Sequence, residues 1–169
     1  MVVFAGTGLD SMAKQLIEDA LPLVASRDEK ARAQLRKFAI RYLRREPQGE
    51  EFPFTDIPKL ADLLLTNNPA GTLIKELVLD LTGGSLQSAS QIFRTLEFFG
   101  INPADHEITE KELKPVFDCR NTLIHEFDID FTQRRRKRFP RKRDDMITNA
   151  EQLLRVSAKI LRAVDDKLE

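Results

Sequence analysis

The stretch DDMITNAEQLLRVSAKILRAVDDKLE, residues 144–169, decides the fold class. Its apolar side chains stand at Ile147, Ala150, Leu153, Leu154, Ile160, Leu161, Val164 and Leu168, with Ser157 in the same series. Steps of three and four place them on one stripe of an α-helix running from about Asp144 to Leu168. A stripe that long buries itself against other helices. The pattern upstream is of the same kind. In LKPVFDCRNTLIHEF, residues 113–127, the apolar positions again recur with helical spacing. Thr109 followed by Glu112 predicts the start of that helix, which continues through Phe127 despite Pro115.

Working outward to the N-terminus, the same periodicity recurs. Asp10 or Ser11 is the expected cap of a first helix carrying Met12, Leu16, Ile17, Ala20, Leu21 and Leu23, bent or ended by Pro22. A second helix is expected from about Arg27 to Arg45, with Ala31, Leu35, Phe38, Ala39, Tyr42 and Leu43 on one face. The segment from Pro47 to Phe54 reads as a loop. Ile57–Leu65 reads as a short helix, with Pro58 at a first helical position. Asn67, Asn68 and Pro69 break the chain before a helix bearing Leu73, Ile74, Leu77, Val78 and Leu81, which Gly83 and Gly84 stop. Ser85 can start another through Phe99, closed by Gly100. No alternating β-branched run demands a strand. The expected architecture is an all-α bundle of five to seven helices forming a single domain over residues 1–169.

Composition narrows the function classes. With 41% hydrophobic and 32% charged residues, the chain resembles an ordinary soluble helical domain. The single cysteine, Cys119, excludes an intramolecular disulfide and a Cys-rich zinc site, and suits a reducing compartment. MVVFAGTGLD has no basic n-region, and no apolar run approaches the roughly 18 residues that span a bilayer. The expected location is cytoplasmic, with no membrane partner. The net charge of zero hides an asymmetry. Between Arg134 and Arg143, eight of ten residues are Lys or Arg. They are Arg134, Arg135, Arg136, Lys137, Arg138, Arg141, Lys142 and Arg143, in a basic loop (132–143) between the motif helix and the last helix. The rest of the chain holds 19 cations against 27 acids. An acidic body with one intense basic stripe, Phe139 within it, reads as a phosphate-binding segment beside the bland reading of a solvated loop.

The helix over residues 113–127 carries the candidate chemistry. At about 100° per residue, Leu113, Val116, Phe117, Leu123, Ile124 and Phe127 fall within roughly 60° of Arg120. The arginine thus occupies the centre of an apolar stripe, where it must meet a carboxylate, carbonyls, a subunit interface or an anionic ligand. Asn121 and His125 are one turn apart on an adjacent face, within reach of each other. An arginine, an amide and a histidine are the parts needed for RNA transesterification, in which the ribose 2′-hydroxyl is the nucleophile. Histidine titrates near neutrality and can act as general base or acid. Arginine offers a charged fork to phosphoryl oxygens as negative charge grows. Asparagine can orient the histidine or hold the phosphate. One histidine does not easily perform both proton transfers, so two copies related by a two-fold axis, with Arg120 facing the shared cleft, are expected.

The segment CRNTLIHEFDID, residues 119–130, resembles the signature of the HEPN superfamily: an arginine, a polar residue directly after it, and a histidine four to six residues beyond the arginine. Arg120, Asn121 and His125 match, on the penultimate major helix before a long final one. The resemblance implies a dimeric helical bundle and a metal-independent endoribonuclease that needs no cofactor, of the kind that serves as a toxin or a phage-defence effector. Arg120 and His125 would be catalytic, with Asn121 in support. Toxins of this family that are paired with minimal nucleotidyltransferase antitoxins carry a tyrosine two residues after the histidine. Phe127 stands there, so a cognate antitoxin would be of unknown type. Other candidates are thinner. His106 would need several carboxylates for a zinc site. Cys119 has no activating partner visible in sequence, and Gly6-x-Gly8 lacks the strand and third glycine of a dinucleotide motif. Asp118, Glu126, Asp128 and Asp130 can hold a cation, or pair with the basic segment or Arg120. The competing functions are a non-catalytic HEPN module that binds nucleotides or nucleic acid or only dimerises, and a DNA-binding bundle using the basic stripe.

The stripe has a measurable signature. Each neutralised phosphate of a single strand contributes about 0.7 to the slope of log affinity against log salt. Replacing Arg134, Arg135, Arg136 and Arg138 with Ala should flatten that slope for single-stranded RNA by roughly two to three units, as read by filter binding across a salt series. If the cations pair with the acidic body instead, the variant loses thermal stability while RNA affinity and slope stay unchanged.

Overall fold

A computed structural model describes residues 1–45, 54–125, 129–130, 137–138 and 142–169, with the backbone alone at 45, 54, 55, 125, 130, 137 and 138. The described residues form eight α-helices: α1 (Val2–Asp19), α2 (Leu21–Arg27), α3 (Glu29–Tyr42), α4 (Ile57–Leu64), α5 (Pro69–Thr82), α6 (Ala89–Phe98), α7 (Glu110–His125) and α8 (Arg143–Leu168). A 3-10 turn, Pro103–His106, precedes α7. Two short antiparallel pairs complete the secondary structure. Arg44 and Arg45 lie opposite Thr55 and Phe54, and Ile129 and Asp130 lie opposite Arg138 and Lys137.

The helix starts follow from local chemistry. Asp28, Asp56, Asn68 and Ser88 each accept a hydrogen bond from a backbone N–H in the first turn of the helix they precede, which satisfies a donor that has no partner within the helix. Pro22, Pro58 and Pro69 stand in first turns, where no N–H is required of them. Lys59 secures α4 by donating to the Tyr42 carbonyl at 2.9 Å, with its ammonium 3.5 Å from the Tyr42 ring centroid.

The all-α class expected from the sequence is what the chain adopts, but with eight helices among the described residues rather than five to seven. The expected first helix is two, because the chain breaks at Ala20 just before Pro22. It also begins at Val2 rather than at Asp10 or Ser11. Asp10 caps nothing; its carboxylate accepts from the Leu86 N–H at 2.6 Å, across the fold. Ser88 rather than Ser85 caps α6, and α3 ends at Tyr42 because residues 44–45 turn into the pair with 54–55. The basic segment is not all loop. Arg143 opens α8, and the backbone of Lys137 and Arg138 is paired. Two-residue pairings are too short to leave a periodic signal in sequence.

One hydrophobic cluster runs through seven of the helices. Val2, Gly6, Leu9, Ala13 and Ile17 form the buried line of α1. Ala150, Leu153, Val156, Ile160, Ala163 and Val164 form that of α8. These two helices pack most extensively on each other, and α7 lies against both as well as against α6. The stripe of α8 is narrower than its sequence suggests, since Leu154 and Leu161 are 63% and 38% exposed. No helix among the described residues is long and apolar enough to cross a membrane.

A clasp joins the chain's end to its beginning. Asp28 accepts from the Ala31 N–H at 2.8 Å and from Lys167 Nζ at 2.6 Å. Gly100 sits against it at φ +69, where a Cβ would stand 2.6 Å from Asp28 Oδ1 and 2.9 Å from the Ala31 nitrogen. Gly100→Ala should therefore cost at least about 1–2 kcal/mol from the left-handed backbone alone. Burial pushes the Asp28 carboxyl up, but Lys167 and the Ala31 N–H together outweigh it and hold the group below its ordinary value of 3.8. Its contribution to stability is then complete above that value and fades as pH falls through the lower folded one. Asp28→Ala should cost about 1–2 kcal/mol at neutral pH. In urea melts, the gap between wild type and variant should close in acid below the ordinary aspartate range.

Candidate active site

The motif helix α7 is anchored at its start and again midway. At its start, the Thr109 N–H and hydroxyl both donate to Glu112 Oε2 at 3.2 Å, a capping arrangement that the sequence anticipates. The same carboxylate accepts from Gln152 Nε2 of α8 at 3.1 Å and lies 3.7 Å from Lys159 Nζ. Burial pushes Glu112 up, yet these hydrogen bonds and the Lys159 charge prevail and set it below its ordinary value. Further along, Cys119 Sγ lies 3.8 Å from Met146 Sδ in the first turn of α8. Leu113, Val116 and Phe117 are buried between these anchors. Pro115 stands inside the helix on an exposed position and does not end it.

Arg120 lies where the apolar periodicity places it, on the packed side of α7 and half-buried. A Cβ added to Gly6 of α1 would stand 3.7 Å from Arg120 Cγ and 4.0 Å from Leu153 Cδ1 of α8. The arginine stem therefore rests against the one position in the buried line of α1 that lacks a side chain. At the other end, Arg120 Nη1 donates to Asn121 Oδ1 at 2.9 Å. Its Nε is fully buried and finds no acceptor among the described residues. No described carboxylate lies within ion-pair distance of the guanidinium. Asp118, on the same helix, is exposed.

Arg120 and Asn121 thus come together, and the amide oxygen engages the arginine. His125 is the last residue of α7, with its backbone in the helix. Its side chain, and so the expected contact with Asn121, lies outside the described residues. So do Glu126, Phe127 and Asp128, and within the basic stripe Arg134, Arg135, Arg136, Phe139 and Arg141. Lys142 precedes α8 and Arg143 begins it, both exposed. The side chains of Lys137 and Arg138 are not described. His106 is half-exposed at the end of the 3-10 turn. No group of three or more His, Cys, Asp or Glu side chains among the described residues is arranged to hold a metal ion.

Gly6 and Leu153 are site residues that sequence reasoning passed over. The signal was faint. Gly6 continues the Val2, Leu9, Ala13 spacing, and a glycine on the buried face of a helix is compatible with a close approach by something else, without saying what approaches. Chemically, the arrangement holds a permanent cation at the edge of the core, its stem seated, one nitrogen tied to a neutral acceptor and its buried Nε without an acceptor among the described residues. That is a setting for an oxyanion. Comparison with protein-family models, with curated proteins and with solved structures finds no match.

Proposed function

We propose that the chain is an endoribonuclease of the HEPN type that cleaves single-stranded RNA by 2′-hydroxyl transesterification without metal. The observation that carries the reading is the state of Arg120. It is half-buried in an apolar stripe, with a buried Nε lacking an acceptor and no carboxylate partner among the described residues. A guanidinium in that state is stabilised by an incoming anion more than one already paired would be. A phosphodiester supplies the anion, and the motif histidine four residues after Asn121 supplies the titrating group.

In this reading the 2′-oxygen attacks the adjacent phosphorus as its proton passes to a base. The bond from phosphorus to the 5′-oxygen breaks, and that oxygen takes a proton from an acid. The products are a 2′,3′-cyclic phosphate and a 5′-hydroxyl. Arg120 balances the charge that accumulates on the phosphoryl oxygens. Asn121, bonded to the guanidinium, orients it. His125 serves one proton transfer, and His125 of a second copy in a two-fold dimer serves the other. The basic stripe recruits the strand through its phosphates. The biological role consistent with this is that of a toxin or phage-defence effector, with Phe127 giving no support to a nucleotidyltransferase antitoxin.

Purified protein should cleave mixed single-stranded RNA in EDTA and leave cyclic phosphate ends. Arg120→Ala and His125→Ala should each slow cleavage by about 100-fold or more, and light scattering should give about twice the 19.4 kDa chain mass. A requirement for magnesium, or full activity in His125→Ala, overturns the mechanism. A fully active monomer overturns the shared site. RNA binding with no cleavage by wild type would favour a non-catalytic module, and tight duplex DNA binding with no cleavage would favour the DNA-binding bundle.

A further inference from the structure

We infer that Gly6 is a positioning residue: the missing side chain at this point of α1 is what sets the course of the Arg120 side chain. The effect on turnover rests on the ribonuclease reading, whereas the effect on the arginine does not.

Gly6 is buried in the middle of the first two turns of α1, on the line Val2, Gly6, Leu9, Ala13. Its φ is not in the left-handed region, so the backbone does not require glycine. Nor does a bare methyl clash, because the nearest atoms to an added Cβ are Arg120 Cγ at 3.7 Å and Leu153 Cδ1 at 4.0 Å, ordinary contact distances. What the site excludes is anything longer. Carbons attached to that Cβ would enter the space held by the arginine stem on one side and by Leu153 on the other. Leu153 is wholly buried and backed by the core, so the half-buried arginine is the neighbour that yields. The guanidinium is thus held at two points. Its stem lies over Gly6, with Leu153 alongside, and its head is tied to Asn121 Oδ1 at 2.9 Å. Moving the first point swings the charged end about the second. Misplacement of a reacting group by about 1 Å can cost on the order of 100-fold in rate.

Two substitutions separate seat from scaffold. Gly6→Ala fits the contact distances, and it replaces a helix-interior glycine with the best helix former. It should raise the melting temperature and leave kcat within about threefold. Gly6→Val should lower kcat by at least about tenfold while KM changes by less than about threefold, since the strand is recruited elsewhere. In protein labelled with 15N-arginine, the Arg120 Nε–Hε cross-peak, assigned through Arg120→Lys, should move in Gly6→Val and stay in place in Gly6→Ala. The double variant Gly6→Val/Leu153→Ala adds three carbons and removes three. It keeps core volume, and so preserves folding even where the overpacked single variant is destabilised. It should show the same displaced cross-peak and lowered kcat.

A folded Gly6→Val protein, single or double, with the Arg120 cross-peak unmoved overturns the inference. So does a displaced cross-peak with unchanged turnover, provided Arg120→Ala is inactive. If Arg120→Ala retains full activity, the ribonuclease reading is what fails, and the cross-peak alone then decides whether Gly6 sets the arginine.

Discussion

Everything in this fold depends on the burial of α8 against α1. The two lines of apolar side chains that meet there, Leu9, Ala13 and Ile17 from one helix and Leu153, Val156, Ile160 and Val164 from the other, are nearly or wholly removed from water. Fully burying a Leu, Ile or Val stabilises by about 1.5–3 kcal/mol, so this interface supplies a large part of what opposes the entropy of the unfolded chain. The remaining helices are arranged around it. α7 closes over the pair, held by Glu112 near its start and Cys119 midway, and α6 packs against α7.

Within so apolar a frame, a permanently charged side chain at the α7–α1 contact is an exception that local packing does not explain. Leu or Met in place of Arg120 would satisfy the stripe without leaving a buried Nε donor. An unsatisfied buried polar group costs about 1–3 kcal/mol, and more when charged. The Asn121 hydrogen bond offsets part of that cost. A fold that keeps the remainder retains a local weakness of the sort that accompanies binding and catalytic groups, where stability is exchanged for a ready-made charge.

Much of this was legible in the sequence because it was written in periodicity. The last helix, the motif helix with its Thr109–Glu112 start and tolerated Pro115, and the closing role of Gly100 all follow from spacing and residue type. So does Arg120 on a packed face. What was illegible is of two kinds. Long-range polar contacts leave no local mark: Asp10 looks like a helix cap, yet serves the Leu86 N–H 76 residues away. Small residues carry little signal by themselves, so Gly6 read only as part of a failed dinucleotide motif, although it is the floor under the arginine. The Asn121 contact was within reach of the sequence, but the expected partner was His125 or phosphate, and the donor its amide oxygen meets is its immediate neighbour, Arg120.

The seat of Arg120 has a bearing on how the molecule is made. Its three walls come from α1, α7 and α8, so the arginine is placed only when segments nearly 150 residues apart along the chain have met. Closing so large a loop precedes the contacts that reward it, which slows folding. A nascent chain holding α1 through α7 already carries Arg120 and Asn121, but it has no Leu153 beside the stem and no Lys159 or Gln152 to anchor Glu112. The order of synthesis therefore keeps the guanidinium from its final setting until the last helix arrives, a delay built into the topology itself.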